Sequence, residues 1–166
     1  MRLEDLNALG DDEAATAFLR CCGSMRWARM MAAVRPFTSV EALAAAAETA
    51  GTSLDRADWL EAFAAHPQIG EGTQSWWAAG EQAGSRSASD EVRRRLTQGN
   101  QAYHARFGYI FIVCATGKSA DEMLRLLEGR LTNDAATEWR VAAGEQRKIT
   151  RLRLAKLLDG ENGPTT

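Results

Sequence analysis

Several features that would mark common functional classes are missing from this 166-residue chain. No apolar run approaches the roughly 18 residues that a membrane-spanning helix needs. The first residues, Met1-Arg-Leu-Glu-Asp5, are too polar and too acidic for a signal peptide. Walker, GxGxxG, GxSxG and HExxH motifs are also absent. These absences argue against membrane insertion and against nucleotide-driven or metal-driven chemistry, so we expect no metal site.

Concentrated positive charge and patterned cysteines are lacking as well. The net charge is −2, and the one basic cluster, residues 93–95, follows Glu91 and is typical of a solvated helix face. Nucleic-acid binding requires a wider basic patch and is not expected. The three cysteines form no CxxC or zinc-like spacing. A reducing, cytoplasmic location is the simplest interpretation.

What is present predicts an all-α fold. Apolar residues recur at helical spacing through most of the chain. We expect a single-domain bundle of about seven or eight helices over residues 1–160, followed by a disordered tail at residues 161–166.

Local signals predict where these helices begin and end. Thr38-Ser-Val-Glu41 and Ser119-Ala-Asp-Glu122 have the form of capping boxes. Gly51 is expected to stop the alanine-rich helix that follows the first box. Asn133 is expected to cap a last helix to about Leu158. Further helices are predicted from Asp11 or Asp12 to Cys22, Ser24 to Ala33, Ser53 or Asp55 to His66, and Asp90 to Phe107.

One apolar segment, Tyr109 to Ala115, is rich in aromatic and β-branched residues. Periodicity alone does not distinguish a buried strand from a buried helix here. Because no second segment of this kind exists to pair with it, a sheet is not expected. We predict a short extended apolar segment or a helix.

His66 and the pair Glu81-Gln82 are the first candidates for chemistry. An imidazole moves protons near neutral pH, and Pro67 disfavours helical geometry at His66, which places the histidine at a helix end. The alternative is a capping or core histidine. Glu81 and Gln82 offer a carboxylate beside an amide, which suits a polar heterocycle; alternatively they lie on the surface of a helix.

Arg153 and Cys114 are weaker candidates. Arg153 falls on the same helical stripe as Gln146 and Ile149, so its guanidinium either reaches solvent or binds a carboxylate. Cys114 lies between apolar neighbours and resembles a small buried hydrophobe more than a nucleophile.

Five motifs in order, between about Arg35 and Leu158, resemble the 2-oxo-4-hydroxy-4-carboxy-5-ureidoimidazoline (OHCU) decarboxylase family. They are His66-Pro-Gln-Ile-Gly70; Glu81-Gln82 shortly after a tryptophan; Asn100-x-x-Tyr103-x-x-Arg106-Phe-Gly108; Phe111-Ile-Val-Cys-Ala115 with Gly117; and Glu145-x-x-Lys148-Ile149 leading to Leu152-Arg153-Leu154.

The resemblance implies an all-α, cofactor-free homodimer that converts OHCU, a product of urate oxidation, to (S)-allantoin and carbon dioxide. It implies that His66 donates the proton or fixes the substrate hydroxyl. Glu81, helped by Gln82, accepts hydrogen bonds from substrate N–H groups. Arg153 pairs with an anionic or carbonyl oxygen.

The resemblance also implies a pocket lining. Pro67 contacts the substrate ring, and the backbone of Ile112, Val113, Cys114, Ala115 and Thr116 lines the site. Ala78 occupies a substrate-binding position where the family commonly has serine, so one hydroxyl contact is lost. One hydrogen bond contributes about 0.5–1.5 kcal/mol net, so the effect falls on affinity more than on chemistry.

Two alternatives remain open. The chain is either a related helical lyase acting on another ureide, or a non-catalytic helical interaction module in which His66 and Glu81 point apart. A hydroxyisourate hydrolase, which acts earlier in the same pathway, is sometimes joined to this activity. We expect any such partner to be a separate protein.

Overall fold

The computed structural model describes residues 1–66 and 89–159. Pro67, Ala78, Glu81 and Gln82 lie outside the described residues, as does the predicted tail at 161–166.

Eight helices and no strand occur in the described ranges, which confirms the all-α fold class. The helices are α1 (Leu3–Ala8), α2 (Asp11–Cys22), α3 (Met25–Ala33), α4 (Val40–Thr52), α5 (Arg56–Ala64), α6 (Asp90–Phe107), α7 (Ala120–Arg130) and α8 (Ala135–Leu158).

Serine hydroxyls define several helix starts. Ser24, Ser39, Ser89 and Ser119 each accept a hydrogen bond from a backbone N–H in the first turn of the following helix. Such caps satisfy one of the N–H groups that a helix start leaves without an intrahelical partner. The capping box at Ser119 and both ends of α6 agree with the sequence-based predictions.

The predicted limits of α4 were wrong at both ends. Ser39, not Thr38, is the N-cap, and its hydroxyl accepts from the Ala42 N–H at 3.1 Å. Gly51 does not stop the helix, which continues to Thr52. Gly51 does not adopt the left-handed geometry of a C-capping glycine, so the helix passes through it.

The start of α8 also differs from its prediction. Asp134 is the residue that caps it, since its Oδ1 accepts from the Thr137 N–H at 2.9 Å. Asn133 instead donates to Glu138 Oε2 at 2.7 Å. Both Asn133 and Asp134 have side chains that can cap a helix. Because the Asn133 amide is bound to the buried Glu138 carboxylate, Asp134 is the residue that caps α8.

The described helices group into two compact units. The first comprises residues 1–62 and 147–159, and its core includes Phe18, Trp27 and Phe37 packed edge to face. The Trp27 indole N–H donates to the Ala47 carbonyl at 3.2 Å, which satisfies the polar atom of a buried ring. The single-domain boundary at residue 160 stays a prediction.

The second unit comprises residues 63–66 and 89–146 and is organised around aromatic rings. Tyr103 packs against Phe107, Tyr109 and Phe111, and Tyr109 also packs edge to face on Trp139. The segment from Tyr109 to Ala115 is largely buried and belongs to neither a helix nor a strand.

A buried ion pair lies beside these rings. The Arg130 guanidinium donates to the Glu138 carboxylate and, at 2.5 Å, to the Ile112 carbonyl. The Tyr103 hydroxyl also donates to Glu138. Burial, and then this hydrogen bond, raise the pKa of Tyr103 far above its usual value, so the hydroxyl stays protonated and remains a donor.

Among the described helices, none is long and apolar enough to cross a bilayer.

The buried ion pair predicts a specific stability pattern. Arg130→Met leaves the Glu138 carboxylate buried without its main partner, so the free energy of unfolding should fall by about 3–5 kcal/mol. The double variant Arg130→Met/Glu138→Leu removes both charges and should lose less than the single variant. Denaturant unfolding measures both.

Arg95→Met provides the control, because Arg95 pairs with Glu128 on the surface of the same unit and should contribute only about 0–1 kcal/mol. Equal, small losses for Arg130→Met and Arg95→Met would contradict the importance of the buried pair.

Candidate functional site

His66 lies two residues beyond the C-terminal end of α5. The helix ends at Ala64, two residues before the predicted end, and the His66 N–H donates to the Phe63 carbonyl at 3.1 Å. This short turn fixes the backbone from which the imidazole projects. The side chain is half-buried, and its Nε2 lies 2.8 Å from the Gln146 Oε1 atom of α8.

The contact with Gln146 restricts the proton position on the ring. An amide oxygen only accepts hydrogen bonds, so Nε2 must carry the hydrogen when it faces Oε1. Gln146 is fully buried, and its oxygen therefore needs such a donor. The contact thereby fixes the orientation of the imidazole relative to α8.

The segment from Ile112 to Thr116 is held by polar groups at successive positions. Arg130 binds the Ile112 carbonyl. The Cys114 N–H donates to Glu145 Oε2 at 2.7 Å, and the Cys114 carbonyl accepts from Lys118 Nζ at 2.8 Å. Three charged side chains thus bind the backbone of a segment that has no helix or strand to supply such bonds.

Exposure changes along this segment. Ile112, Val113 and Ala115 are buried, Cys114 is half-buried, and Thr116 is exposed. Gly117 then adopts a positive φ of 76°, a conformation that other residues rarely accept, and so allows the chain to turn towards α7.

Glu145 and Gln146 are site residues to which the sequence alone assigned no role. They are adjacent on α8, yet they contact two different candidate parts of the site, Cys114 and His66. The sequence marked Gln146 as a polar residue on the apolar stripe of the last helix, and Glu145 as part of a family motif. Neither feature predicted the contacts with His66 and Cys114.

Arg153 lies in the first unit and is buried, so its side chain does not extend to solvent. Its Nη1 donates to the Arg20 carbonyl at 3.5 Å. Burial raises the pKa of the neighbouring Cys21 thiol to about 12, although the positive charge of Arg153 opposes this rise. The inward position is the one a substrate-binding arginine requires, and the binding role stays a prediction.

Of the predicted site residues, His66 and the segment 112–116 are thus both bound by α8 within the second unit. Pro67, Ala78, Glu81 and Gln82 lie outside the described residues. In the described ranges, no group of three or more His, Cys, Asp or Glu side chains is arranged to hold a metal ion.

Comparison with known proteins identifies the family. The family model for OHCU decarboxylase matches residues 7–155. The uric acid degradation bifunctional protein TTL of Arabidopsis thaliana is 38% identical over 159 residues, which cover 90% of this chain and 47% of that protein. The chain therefore spans about half the length of that relative.

A second relative matches along its whole length. The 2-oxo-4-hydroxy-4-carboxy-5-ureidoimidazoline decarboxylase of Haloferax volcanii is 31% identical, with 97% of this chain and 98% of that protein covered. Among solved structures, a crystal structure of OHCU decarboxylase in the presence of (S)-allantoin aligns with a TM-score of 0.79 and 34% identity, covering 91% of this chain and 99% of that one. The chain belongs to the OHCU decarboxylase family.

Proposed function

We propose that this protein is a carboxy-lyase that converts OHCU to (S)-allantoin and carbon dioxide, and that His66 carries the proton chemistry. The family match and the named relatives support the reaction. The observation that carries the role of His66 is its hydrogen bond to the buried Gln146, which holds the imidazole in one orientation.

The chemistry of the substrate makes a cofactor unnecessary. When the bond between the ring carbon and the carboxylate breaks, carbon dioxide leaves and an electron pair stays on the carbon. A neighbouring C=N bond of the ring takes up this pair, as pyridoxal or thiamine does in other decarboxylases. A C=C bond thus forms between this carbon and its ureido-bearing neighbour. The ureido-bearing carbon then receives a proton, while the hydroxyl group passes its own proton to the ring nitrogen and becomes the carbonyl of allantoin. The protein must orient the carboxylate, stabilise the developing charge and deliver the proton to one face.

His66 suits the last of these tasks. As an imidazolium it donates a ring proton, and the new C–H bond uses the electron pair left by carbon dioxide. The ring becomes neutral. General acid catalysis of this kind contributes about 10²- to 10⁴-fold to a rate. Alternatively, the same ring holds the substrate hydroxyl, and the proton comes from water.

The remaining residues bind the substrate in this proposal. Glu81 and Gln82 accept from and donate to its amide-like groups, and Pro67 contacts its ring. Ala78 replaces a hydroxyl that relatives use. These assignments rest on motif resemblance, since the four residues lie outside the described part of the chain.

Two further groups of residues complete the proposed binding of the substrate. The backbone from Ile112 to Thr116 lines the pocket, and its fixed conformation suits recognition of a small polar ring. Arg153 pairs with an anionic oxygen, for which a buried, planar guanidinium is appropriate.

We further propose, from the family resemblance, a cytoplasmic homodimer that receives its substrate from a separate hydroxyisourate hydrolase. Light scattering on the purified chain tests the oligomeric state, and a mass of one chain, 18.1 kDa, would contradict the dimer.

The proposed reaction predicts a clear loss of activity in two variants. His66→Ala removes the proton carrier and Glu81→Gln removes the accepting carboxylate, so each should lower kcat/KM by about 100-fold or more. Circular dichroism at the allantoin band, on freshly prepared OHCU, follows the appearance of the S enantiomer.

His104→Ala is the matched control, because His104 is the other of the two histidines and is exposed on α6. Wild type and His104→Ala should both form (S)-allantoin rapidly. Decay of OHCU at the spontaneous rate with wild type would overturn the proposed function and would leave the interaction-module hypothesis.

Arg153→Lys tests the substrate-binding arginine. Lysine keeps the charge but loses the planar, two-pronged donor, so we expect KM to rise about 10-fold with a smaller change in kcat. Steady-state kinetics measures both parameters. Arg151→Lys, two residues earlier on the exposed side of the same helix, is the control and should leave both unchanged. Identical kinetics in the two variants would remove Arg153 from the site.

A further inference from the structure

We propose, on the basis of the function proposed above, that Lys118 and Arg130 are positioning residues of the reaction. Each binds one carbonyl of the pocket-lining segment and thereby directs the N–H group of the same peptide unit, that of Ala115 or Val113, towards an oxygen atom of the substrate. Both cations act through the backbone and do not themselves contact the substrate.

The two cations bind alternate carbonyls of the segment. The Arg130 guanidinium donates to the Ile112 carbonyl at 2.5 Å, and the Lys118 ammonium donates to the Cys114 carbonyl at 2.8 Å. The backbone N–H of Lys118 also donates to the Ala115 carbonyl at 3.0 Å, which closes a turn and fixes the point from which the lysine side chain projects. All of these residues belong to the second unit.

A bound carbonyl determines the direction of the neighbouring N–H group. In a planar trans peptide, the C=O of one residue and the N–H of the next point in opposite directions, and the peptide units of this segment are trans. The Val113 N–H therefore points away from Arg130, and the Ala115 N–H points away from Lys118. A cation on the carbonyl also polarises the peptide unit, which strengthens its N–H as a donor.

The two N–H groups are suited to a ligand. Val113 and Ala115 are only 7% and 5% exposed, and neither N–H donates to another described residue. Buried backbone donors require a partner, because an unmade hydrogen bond away from water is unfavourable. OHCU carries carbonyl and carboxylate oxygens, which accept hydrogen bonds from donors of this kind.

Lys118 allows the role to be tested without damage to the core. Arg130 also belongs to the buried ion pair with Glu138, so its replacement lowers stability as well. Lys118 is half-buried and lies outside that pair, so we expect its variants to fold. Thermal unfolding followed by circular dichroism checks that each variant is folded at the assay temperature.

The kinetic test replaces the lysine. Lys118→Met retains the length of the side chain but removes the donor to the Cys114 carbonyl, so the Ala115 N–H is no longer held in place. We expect KM to rise about 5- to 10-fold, with a smaller change in kcat. Lys118→Arg still donates and should recover most of this loss. Steady-state kinetics on freshly prepared OHCU measures both parameters.

Arg125→Met is the matched control, because it also removes one positive charge from the second unit, at an exposed position on α7. It should match wild type in kcat and KM. Equal effects of Lys118→Met and Arg125→Met would show that net charge alone matters and would contradict the inference.

NMR of the full-length wild-type protein observes the two N–H groups directly. When (S)-allantoin is added above its inhibition constant, the amide proton signals of Val113 and Ala115 should move downfield, because both protons form hydrogen bonds to the ligand. In Lys118→Met, the shift of the Ala115 signal should shrink and that of Val113, which Arg130 holds, should persist. This measurement requires no Arg130 variant.

The outcomes separate the two proposals. A wild-type protein that does not accelerate OHCU decay overturns the proposed function. An active wild type in which neither amide proton signal moves downfield overturns the present inference alone. A Lys118→Met variant with the KM of wild type, or with a loss that Lys118→Arg does not recover, overturns the positioning role of Lys118.

Discussion

The buried ion pair between Arg130 and Glu138 is the interaction on which the second unit depends. Two charges removed from water are tolerated only when each is well bonded. Here Glu138 also accepts from Tyr103 and Asn133, and Arg130 also binds the Ile112 carbonyl. The pair thus connects α6, α7 and α8 with the irregular segment after α6. Because the polar groups satisfy one another, this segment has a defined conformation without belonging to a helix or sheet.

Helix α8 extends this organisation from the ion pair to the candidate site. Glu138 and Gln146 are separated by eight residues, or about two helical turns, so they lie on similar sides of the helix. The first anchors the polar cluster and the second contacts His66. A reaction without a cofactor depends on the correct placement of a few protein groups. Attachment of His66 and Cys114 to one rigid helix provides such placement.

The sequence predicted the fold class and much of its local detail because those features depend on neighbouring residues. The capping box at Ser119 and the limits of α6 at Asp90 and Phe107 depend on signals within about one turn, and both predictions were correct. Errors arose where several local signals competed. Ser39 capped α4 in preference to Thr38, and Asp134 capped α8 in preference to Asn133.

The sequence pattern did not predict which residues far apart in the chain contact one another. His66 was recognisable as a candidate, but its contact lies 80 positions away at Gln146. Periodicity indicated that Arg153 faces inward without indicating what it binds, and the structure finds it buried. Apart from its position at a helix end, nothing in the sequence indicated that Arg130 forms a buried ion pair. The roles of Pro67, Ala78, Glu81 and Gln82 rest on motif resemblance and stay predictions.

A crystal structure of this protein with (S)-allantoin bound is the most direct test of the account. It should place the ligand within hydrogen-bonding distance of the His66 imidazole and of the backbone between Ile112 and Thr116, with Gln146 still bound to Nε2. Ligand bound away from both His66 and this segment would contradict the account, since the reaction would then take place outside the framework that α8 supports.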